Sequence, residues 1–337
     1  INAVAQPAMP FPNGEREGTR VVNIALAGVS PRLRIATKVL TNAGLDVVVI
    51  RIQRSRMPAM VHLEDRTEFW IRRDRQRGRM SQPEIVAMAN AGQEETRNRE
   101  GFLERRIEHN KSGGGVVTGV PVGVLLAATP QTLSDDAISI ENRDIQGIMR
   151  QPSPIRDTII EGVTPVPSLD GLEGRLQTNP NYRFEIHRNG HMEVYLAHAA
   201  EIAATTKKPF FDHGPGGKRI EGVHTVLDGA ILVRSIVEFV RRARSLHDAA
   251  LIFEPFILTL VLYNSSLSAL PAGAVATEEG SIIRNLGTVR HESHLIIGVP
   301  GFPDETPGRP AKLLCDRLWQ AYGKWKCTAL DDNGNLT

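Results

Sequence analysis

Two alternating segments separated by an Asn-Gly pair constrain the fold of this chain more than any other feature of its sequence. Residues 182–187 read Tyr-Arg-Phe-Glu-Ile-His, and residues 191–196 read His-Met-Glu-Val-Tyr-Leu. Asn189-Gly190 lies between them, and Asn-Gly is a strong signature of a tight turn between antiparallel strands. The sequence therefore predicts an antiparallel β-hairpin over 182–196, with polar and apolar residues on alternate faces.

Other segments predict both helices and strands, with an irregular first stretch over residues 1–20. The apolar segment 21–29 ends before Pro31, and residues 32–43 are compatible with either helix or strand. β-Branched or alternating residues predict strands at 45–52, 67–72, 256–263 and 293–299. Ser81 and Glu84 have the spacing of a capping box, which predicts a helix from there to about Ala91. Further helices are expected over the charged segment 93–111, over 229–246 and over 310–322. In the segment 229–246 the apolar residues that fall on one helix face are Leu232, Ile236, Phe239, Val240 and Ala243, and the arginines that lie largely off that face are Arg234, Arg241, Arg242 and Arg244.

Length and composition favour a folded protein with more than one domain. The chain has 337 residues, 41% of them hydrophobic and 23% charged, and a single core rarely grows beyond roughly 250–300 residues. The predicted fold class is mixed α+β and α/β, without an internal repeat. We expect a first α/β domain over 1–110, a connector rich in Pro, Ser, Asp and Gly over 111–180, and an α+β domain with antiparallel hairpins over 181–337.

Several features bear on the location of the protein. The longest apolar run, 251–263, has 13 residues and contains Glu254 and Pro255, whereas a membrane-spanning helix needs about 20. The two cysteines, Cys315 and Cys327, are too few for a disulfide framework. We therefore expect a cytoplasmic protein without a membrane partner. The first residue is Ile1, so we also expect the chain to begin within a longer protein.

An arginine-rich window is the strongest functional signal. Residues 51–79 contain nine arginines, no lysine and four acidic residues. The window therefore carries a formal charge of +5, although the chain as a whole carries only +2. Arginine's planar guanidinium suits bidentate contact with phosphate and stacks on bases. The window predicts a nucleic-acid-binding surface, and the competing interpretation is a solvated loop whose arginines pair with Glu64, Asp65 and Glu68.

The remaining candidate motifs are weaker. The glycine-rich segments 111–115 and 213–218 lack the spacing of a phosphate-binding P-loop, so we predict turns and no ATPase. His291 and His294 would point to opposite faces of a strand, which makes joint metal ligation awkward. Glu185, His187 and Glu193 share the predicted hairpin and could support acid–base chemistry, but exposed polar positions are the commoner interpretation of such residues.

The order of several segments resembles the Schlafen/AlbA-like domain and the region that follows it in long bacterial proteins. Residues 47–58, 69–73 and 80–85 resemble the second half of that domain. The segment 182–193 resembles the hairpin of the following region, and 314–323 with Asp332-Asn-Gly resembles its closing segment. The resemblance implies a bacterial nucleic-acid-binding protein of an α/β domain followed by an α+β region, in a family associated with antiviral defence or regulation.

The acidic opening motif that carries catalytic carboxylates in nuclease-active Schlafen proteins does not occur in this chain. We therefore assign no catalytic residue and predict no cofactor; Mg²⁺ or Mn²⁺ would be needed only for a nuclease. The predicted nucleic-acid-binding residues lie on two strand-and-loop segments: Arg51, Arg54, Arg56, Arg72, Arg73, Arg75 and Arg77.

Three functions remain open from the sequence. The first is binding of RNA or DNA through the arginine-rich domain, with the C-terminal body serving assembly or partner recognition. The second is a metal-dependent nuclease, or RNase, whose carboxylates lie upstream of Ile1 or come from a second subunit. The third is an assembly module in which the arginines pair with acids of a neighbouring chain, for example in a homo-oligomer.

Overall fold

A computed structural model describes most of the chain and divides it into two compact units, residues 1–97 (unit 1) and 98–337 (unit 2). The structure describes residues 13–30, 35–42, 45–52, 58–63, 66–73, 76–113, 122–134, 136–152, 162–176, 179–196, 203–206, 210–211, 219–220, 224–252, 254–266, 268–270, 294–301 and 306–337. Helices and antiparallel sheets both contribute, which confirms the mixed α+β class. No described helix is long and apolar enough to cross a membrane.

Unit 1 combines one helix, one hairpin and one small sheet, and the helix α2 continues from it into unit 2. The elements are α1 Gly14–Gly28, β1 Val29–Ser30, β2 Ile35–Asn42, β3 Leu45–Ile52, β4 Met60–His62, β5 Thr67–Arg73, β6 Gln76–Arg79 and α2 Gln82–Gly113. β2 and β3 form an antiparallel pair, and β1, β4, β5 and β6 form a four-stranded antiparallel sheet in the order β1-β4-β5-β6.

The helix α1 is held against the β2–β3 hairpin by a shared aspartate. The backbone N–H of Gly14 donates to the Asp46 carboxylate at 2.8 Å, and the Thr41 hydroxyl donates to the same carboxylate at 2.7 Å. Asn13 caps the helix by accepting from the N–H of Arg16 at 3.0 Å. The expectation of an irregular segment over 1–20 was therefore wrong for residues 14–20, because an N-cap and early acidic residues start a helix there.

The capping box at Ser81 is confirmed, but the helix that it begins is longer than expected. The Glu84 carboxylate accepts from the Ser81 backbone N–H at 2.7 Å and from its hydroxyl at 2.9 Å. The helix runs without interruption from Gln82 to Gly113. The segments predicted as separate helices over 81–91 and 93–111 are one element, since the single Gly92 between them costs a helix only about 1 kcal/mol.

Unit 2 is built on a seven-stranded antiparallel sheet. Its elements are β7 Gly123–Pro130, α3 Arg143–Arg150, β8 Val166–Pro167, β9 Gly171–Leu176, β10 Asn179–His187, β11 Met192–Leu196, β12 Ala203–Thr206, β13 Phe210–Phe211, β14 Arg219–Ile220, β15 His224–Leu227, α4 Gly229–Ala249, β16 Phe256–Tyr263, β17 Ser268–Ala269, β18 His294–Gly301 and α5 Gly308–Ala321. The sheet order is β18-β16-β7-β11-β10-β9-β8. The short strands β12, β15 and β17 pair with one another, and β13 pairs with β14.

The predicted hairpin is confirmed, and its two strands lie inside the sheet. β10 and β11 pair from Tyr182 with Leu196 to Ile186 with Met192. Gly190 has φ +87°, a left-handed conformation that glycine adopts without a steric penalty. Strands predicted over 45–52, 67–72 and 256–263 are also confirmed as β3, β5 and β16, and the ambiguous segment 32–43 contains the strand β2.

The range 111–180, for which the sequence predicts a connector, contributes two inner strands of this sheet. β7 lies between β16 and β11, and β9 lies between β8 and β10. Every residue of β7 is buried. Its continuous apolar sequence is typical of a strand covered on both faces, which carries no alternation to mark it.

The two faces of the sheet are covered differently. Helices α3, α4 and α5 pack on the face that carries Leu126, Phe184 and Leu260, and together they form the main core. The opposite face carries a smaller apolar cluster of Leu125, Ala127, Tyr195, Val261 and Tyr263, against which Leu103 and Ile107 of α2 pack. The second half of α2 therefore covers the middle of the face opposite the main core.

Candidate functional site

The structure describes only some of the arginines predicted to bind nucleic acid. Arg54, Arg56 and Arg75 lie outside the described residues. Arg51 is in β3, and Arg72 and Arg73 are in β5; for these three the backbone alone is described. Arg77 is in β6 and has an exposed side chain. The two predicted segments therefore belong to different sheets of unit 1, because β3 pairs with β2 whereas β5 pairs with β4 and β6.

The β5–β6 hairpin brings several basic residues into register. Arg72 pairs directly with Arg77, and Trp70 pairs directly with Arg79. The Arg79 guanidinium lies over the Trp70 ring, 5.9 Å from its centroid. We call this set the arginine ladder: Trp70, Arg72, Arg77 and Arg79.

One buried carboxylate belongs to this surface. Glu68 is 8% exposed and lies 2.6 Å from an Arg79 nitrogen and 3.1 Å from Arg66 Nε. The interpretation of the arginines as partners of nearby acids therefore holds for Arg66 and Arg79. The other two acids named in that interpretation, Glu64 and Asp65, lie outside the described residues.

Unit 2 contains a second polar arrangement, a row of acids across three adjacent strands. Glu173 of β9 pairs with Glu185 of β10, and Glu185 pairs with Glu193 of β11. Like charges at directly paired positions destabilise an antiparallel sheet. Glu193 is only 1% exposed, so its charge needs partners inside the protein.

Helix α2 supplies the compensating cation. Nη2 of Arg106 donates to Glu185 Oε2 at 2.6 Å and to Glu193 Oε1 at 2.5 Å, and Nε donates to Glu193 Oε2 at 3.1 Å. Asn110, one turn further along the helix, donates to Glu193 Oε1 at 3.2 Å. Arg106 and Asn110 share a helix face with Leu103 and Ile107 because they recur at spacings of three and four residues. The face of α2 that packs on the apolar cluster therefore also forms the ion pairs with Glu185 and Glu193.

Arg183 completes the charge balance from the strand β10. Its Nε lies 2.7 Å from Glu185 Oε1, its Nη2 donates to Asn110 Oδ1, and its guanidinium lies 5.7 Å from the centre of the Tyr195 ring. The two inner carboxylates, Glu185 and Glu193, are therefore matched by two guanidinium groups. Glu173, the outer acid of the row, lies 2.8 Å from Arg175 Nε, so each of the three acids has a guanidinium partner.

Two histidines adjoin the carboxylates at the turn end of the hairpin. His191 Nε2 lies 3.0 Å from Glu193 Oε2, and its Nδ1 lies 2.9 Å from the Thr129 hydroxyl of β7. His187 Nε2 lies 3.1 Å from Glu185 Oε2 but has no partner in hydrogen-bonding geometry. The Phe102 ring packs edge-on against both imidazoles, with centroids 5.7 and 5.0 Å away. We call His187, His191 and Glu193 the histidine–glutamate cluster.

The protein environment lowers the pKa of Glu193 and that of His191. Burial alone would raise the pKa of Glu193, but hydrogen bonds from His191 and Arg106 outweigh it and hold that pKa well below its usual range. Burial lowers the pKa of His191, more than its hydrogen bond to Glu193 raises it. Near neutral pH Glu193 is therefore ionised and His191 is neutral.

A polar cleft of about 290 Å³ reaches the cluster from the surface. His187 and Glu185 line it from β10, Arg106 and His109 line it from α2, and Asp170 lines it from the turn before β9. Both acidic and basic side chains therefore face the cleft, and His187 is the member of the cluster that borders it.

The sequence anticipated only some of these residues. Glu185, His187 and Glu193 were considered for acid–base chemistry, but exposed positions were expected; the structure buries His187 and Glu193 and leaves Glu185 partly buried. Arg106, Asn110 and His191 were not singled out. One signal in the sequence could have indicated that a face of α2 packs on the sheet and pairs with these acids. It is the spacing of three and four residues between Leu103, Arg106, Ile107 and Asn110. His294 lies in β18, whereas His291 lies outside the described residues.

Comparisons of the chain with protein-family models, with curated proteins and with solved structures found no match.

Proposed function

We propose that unit 1 binds RNA or DNA through the arginine ladder. The observation that carries the proposal is the direct pairing of Arg72 with Arg77 on β5 and β6. Two cations at directly opposed positions destabilise a two-stranded ladder, and a phosphate between them would remove that repulsion. Guanidinium groups also bind phosphate in bidentate geometry.

The exposed tryptophan beside the paired arginines extends the proposal from phosphate to nucleic acid. Trp70 is 38% exposed, large and aromatic, and Arg79 lies over its ring. Aromatic side chains next to a basic strand provide stacking surfaces for unpaired bases, each worth about 1–3 kcal/mol. Glu68 holds Arg79 in place, which lowers the entropy lost when the surface meets a ligand.

The proposed binding mode favours single-stranded or locally unpaired nucleic acid. A base can stack on Trp70 only if it is not already stacked inside a duplex. The resemblance of 47–58, 69–73 and 80–85 to the Schlafen/AlbA-like domain supports the same activity, and membership of that family is part of the proposal.

Fluorescence anisotropy with labelled 20-nucleotide single strands and duplexes at low salt tests the proposal. We expect Arg77→Ala and Arg72→Ala each to weaken single-strand binding and to lower the salt slope by about 0.7, the value for one lost phosphate contact. Arg16→Ala, which removes an exposed arginine from α1 of the same unit, is the matched control and should leave both quantities unchanged.

The stacking contribution has its own variant. Trp70→Ala should weaken binding of single strands by about 5–150-fold, the equivalent of 1–3 kcal/mol, whereas Trp70→Phe should retain most of it. Trp325, which is 94% exposed in unit 2, is the control position. Undetectable binding of every probe at low salt, or affinities indifferent to Arg72, Arg77 and Trp70, would refute the proposal. A salt-sensitive oligomer without nucleic-acid affinity would instead support the assembly module.

A further inference from the structure

We propose that the histidine–glutamate cluster of unit 2 binds one divalent transition-metal ion of the zinc class. The donor atoms of His187, His191 and Glu193 all lie within 4.8 Å of one another. Two imidazole nitrogens and one carboxylate oxygen are a ligand set typical of zinc sites that keep a further position open. The site is separate from the arginine ladder, and the proposed nucleic-acid binding does not depend on it.

The proposed ligand His187 contributes a buried ring nitrogen. His187 is 6% exposed, and its Nε2 lies 3.1 Å from Glu185 Oε2 but makes no hydrogen bond of acceptable geometry in the part of the chain that the structure describes. A buried polar atom without a partner costs about 1–3 kcal/mol. Coordination of a metal through this nitrogen would remove that cost.

Neighbouring side chains hold the other two ligands in position. The Thr129 hydroxyl, 2.9 Å from His191 Nδ1, can accept the Nδ1 proton and so leave Nε2 as the coordinating nitrogen. Arg106 and Asn110 hold the Glu193 carboxylate through Oε1, and Arg106 Nε also donates to Oε2, the oxygen nearest to His191. Metal-binding imidazoles and carboxylates usually have such partners, which fix their orientation.

A polar cleft gives a cation access to the cluster, and its lining carries charges of both signs. His187 borders the polar cleft of about 290 Å³, which provides an entry path and an open coordination position. The cleft is lined by three carboxylates, those of Asp170, Glu173 and Glu185, and by three guanidinium groups, those of Arg106, Arg175 and Arg183. The formal charges of these six side chains therefore cancel around an incoming cation. The imidazole donors select zinc-class ions over Mg²⁺, which prefers oxygen ligands.

Titration of the chelator-stripped full chain with Zn²⁺ and with Co²⁺ tests the proposal. We expect one equivalent of Zn²⁺ per chain after dialysis and, with Co²⁺, visible absorption bands of a low-coordinate site. His187→Gln and His191→Gln should weaken Zn²⁺ binding by more than about 100-fold, and Thr129→Val, which alters only the support of His191, should weaken it by about 10–100-fold. His62→Gln, which removes an exposed histidine from β4 of unit 1, is the matched control and should bind as the unaltered chain does.

A folding control separates loss of the site from loss of the structure. The far-UV circular dichroism and the unfolding midpoint of each metal-free variant are measured first, and Thr129→Val keeps the shape of the side chain it replaces. Failure to retain Zn²⁺, or retention unaffected by His187→Gln, His191→Gln and Thr129→Val in folded protein, overturns the proposal. Loss of nucleic-acid binding by Arg77→Ala with Zn²⁺ binding intact would show that the two sites are independent.

Discussion

The clearest quantitative prediction concerns His247, which is buried in the core of unit 2 as a neutral imidazole. It lies on α4, is 1% exposed, and packs edge-on against Phe256 with ring centroids 4.7 Å apart. Burial is the main cause that lowers its pKa from 6.5 to about 4, and the charge of Arg244 acts in the same direction. Asp248 and the backbone of Gly190 oppose the shift but do not cancel it.

The sign of the effect on stability follows from proton binding in the two states. Between pH 6.5 and pH 4 the unfolded chain binds a proton at His247 and the folded chain does not, so acid favours unfolding. The contribution of His247 is fully present above pH 6.5 and is lost as the pH falls toward 4. For these two pKa values, the free energy of unfolding drops by about 2 kcal/mol between pH 7.5 and pH 5.0.

The assay compares the unaltered chain with His247→Gln at both pH values. The chain has three tryptophans, and in a Trp70→Phe, Trp325→Phe background Trp319 of α5 becomes the only reporter. Because Trp319 is buried in the main core, its fluorescence during urea unfolding reports on unit 2. EDTA in the buffer keeps metal binding out of the comparison.

We expect the unaltered chain to lose about 2 kcal/mol more than His247→Gln over this pH range. His62→Gln, in the unit that Trp319 does not belong to, is the control substitution. Equal pH dependence in His247→Gln and the unaltered chain, or a folded-state pKa above 6 for His247 by NMR titration, would refute the reasoning.

Three further variants test the packing and the turns of unit 2 by the same urea unfolding. Gly190→Ala should destabilise by about 1–3 kcal/mol, because φ is +87° and the new Cβ would lie 2.8 Å from Ile252 Cδ1; Gly147→Ala in α3, whose new Cβ would meet nothing within 4 Å, is the control. Asp228→Ala should cost about 1 kcal/mol, since its carboxylate caps α4 by accepting from two backbone N–H groups at 2.9 and 3.0 Å. Leu258→Ala should cost about 2–5 kcal/mol because its side chain is fully buried, and no loss of stability there would contradict the placement of β16 in the core.

The sequence predicted individual elements where local chemistry decides the conformation. Asn189-Gly190 marked the turn between β10 and β11, and Ser81 with Glu84 marked the start of α2. The apolar positions of α4 predicted from its period, such as Leu232, Ile236 and Phe239, are all buried. These signals depend on a few neighbouring residues, so they can be recognised without knowledge of the rest of the chain.

Other elements were hidden because their conformation depends on distant partners. β7 is a central strand covered on both faces, and its apolar sequence with nearby Gly and Pro resembled a connector. Arg242 was expected away from the buried face of α4, yet it is 3% exposed and donates to the backbone carbonyls of Gln151 and Pro152. Nothing near Arg242 in the sequence indicates those carbonyl groups.

Each of the two polar sites could likewise be predicted from the sequence only in part. The arginine-rich window could be recognised from its composition, because nine arginines within 29 residues need no fold to be counted. The pairing of Arg72 with Arg77 required the strand register. In unit 2, the sequence by itself determined that Glu185, His187 and Glu193 share one hairpin.

Only the tertiary structure decided that these residues are buried and what they contact. Arg106 lies 79 residues before Glu185, and Thr129 lies 62 residues before His191. The pairing of β7 with β11 and the packing of α2 on the sheet bring them together. Local sequence determines which residues alternate along a strand, whereas the burial of a charge depends on what covers that strand, and this is decided by contacts between distant parts of the chain.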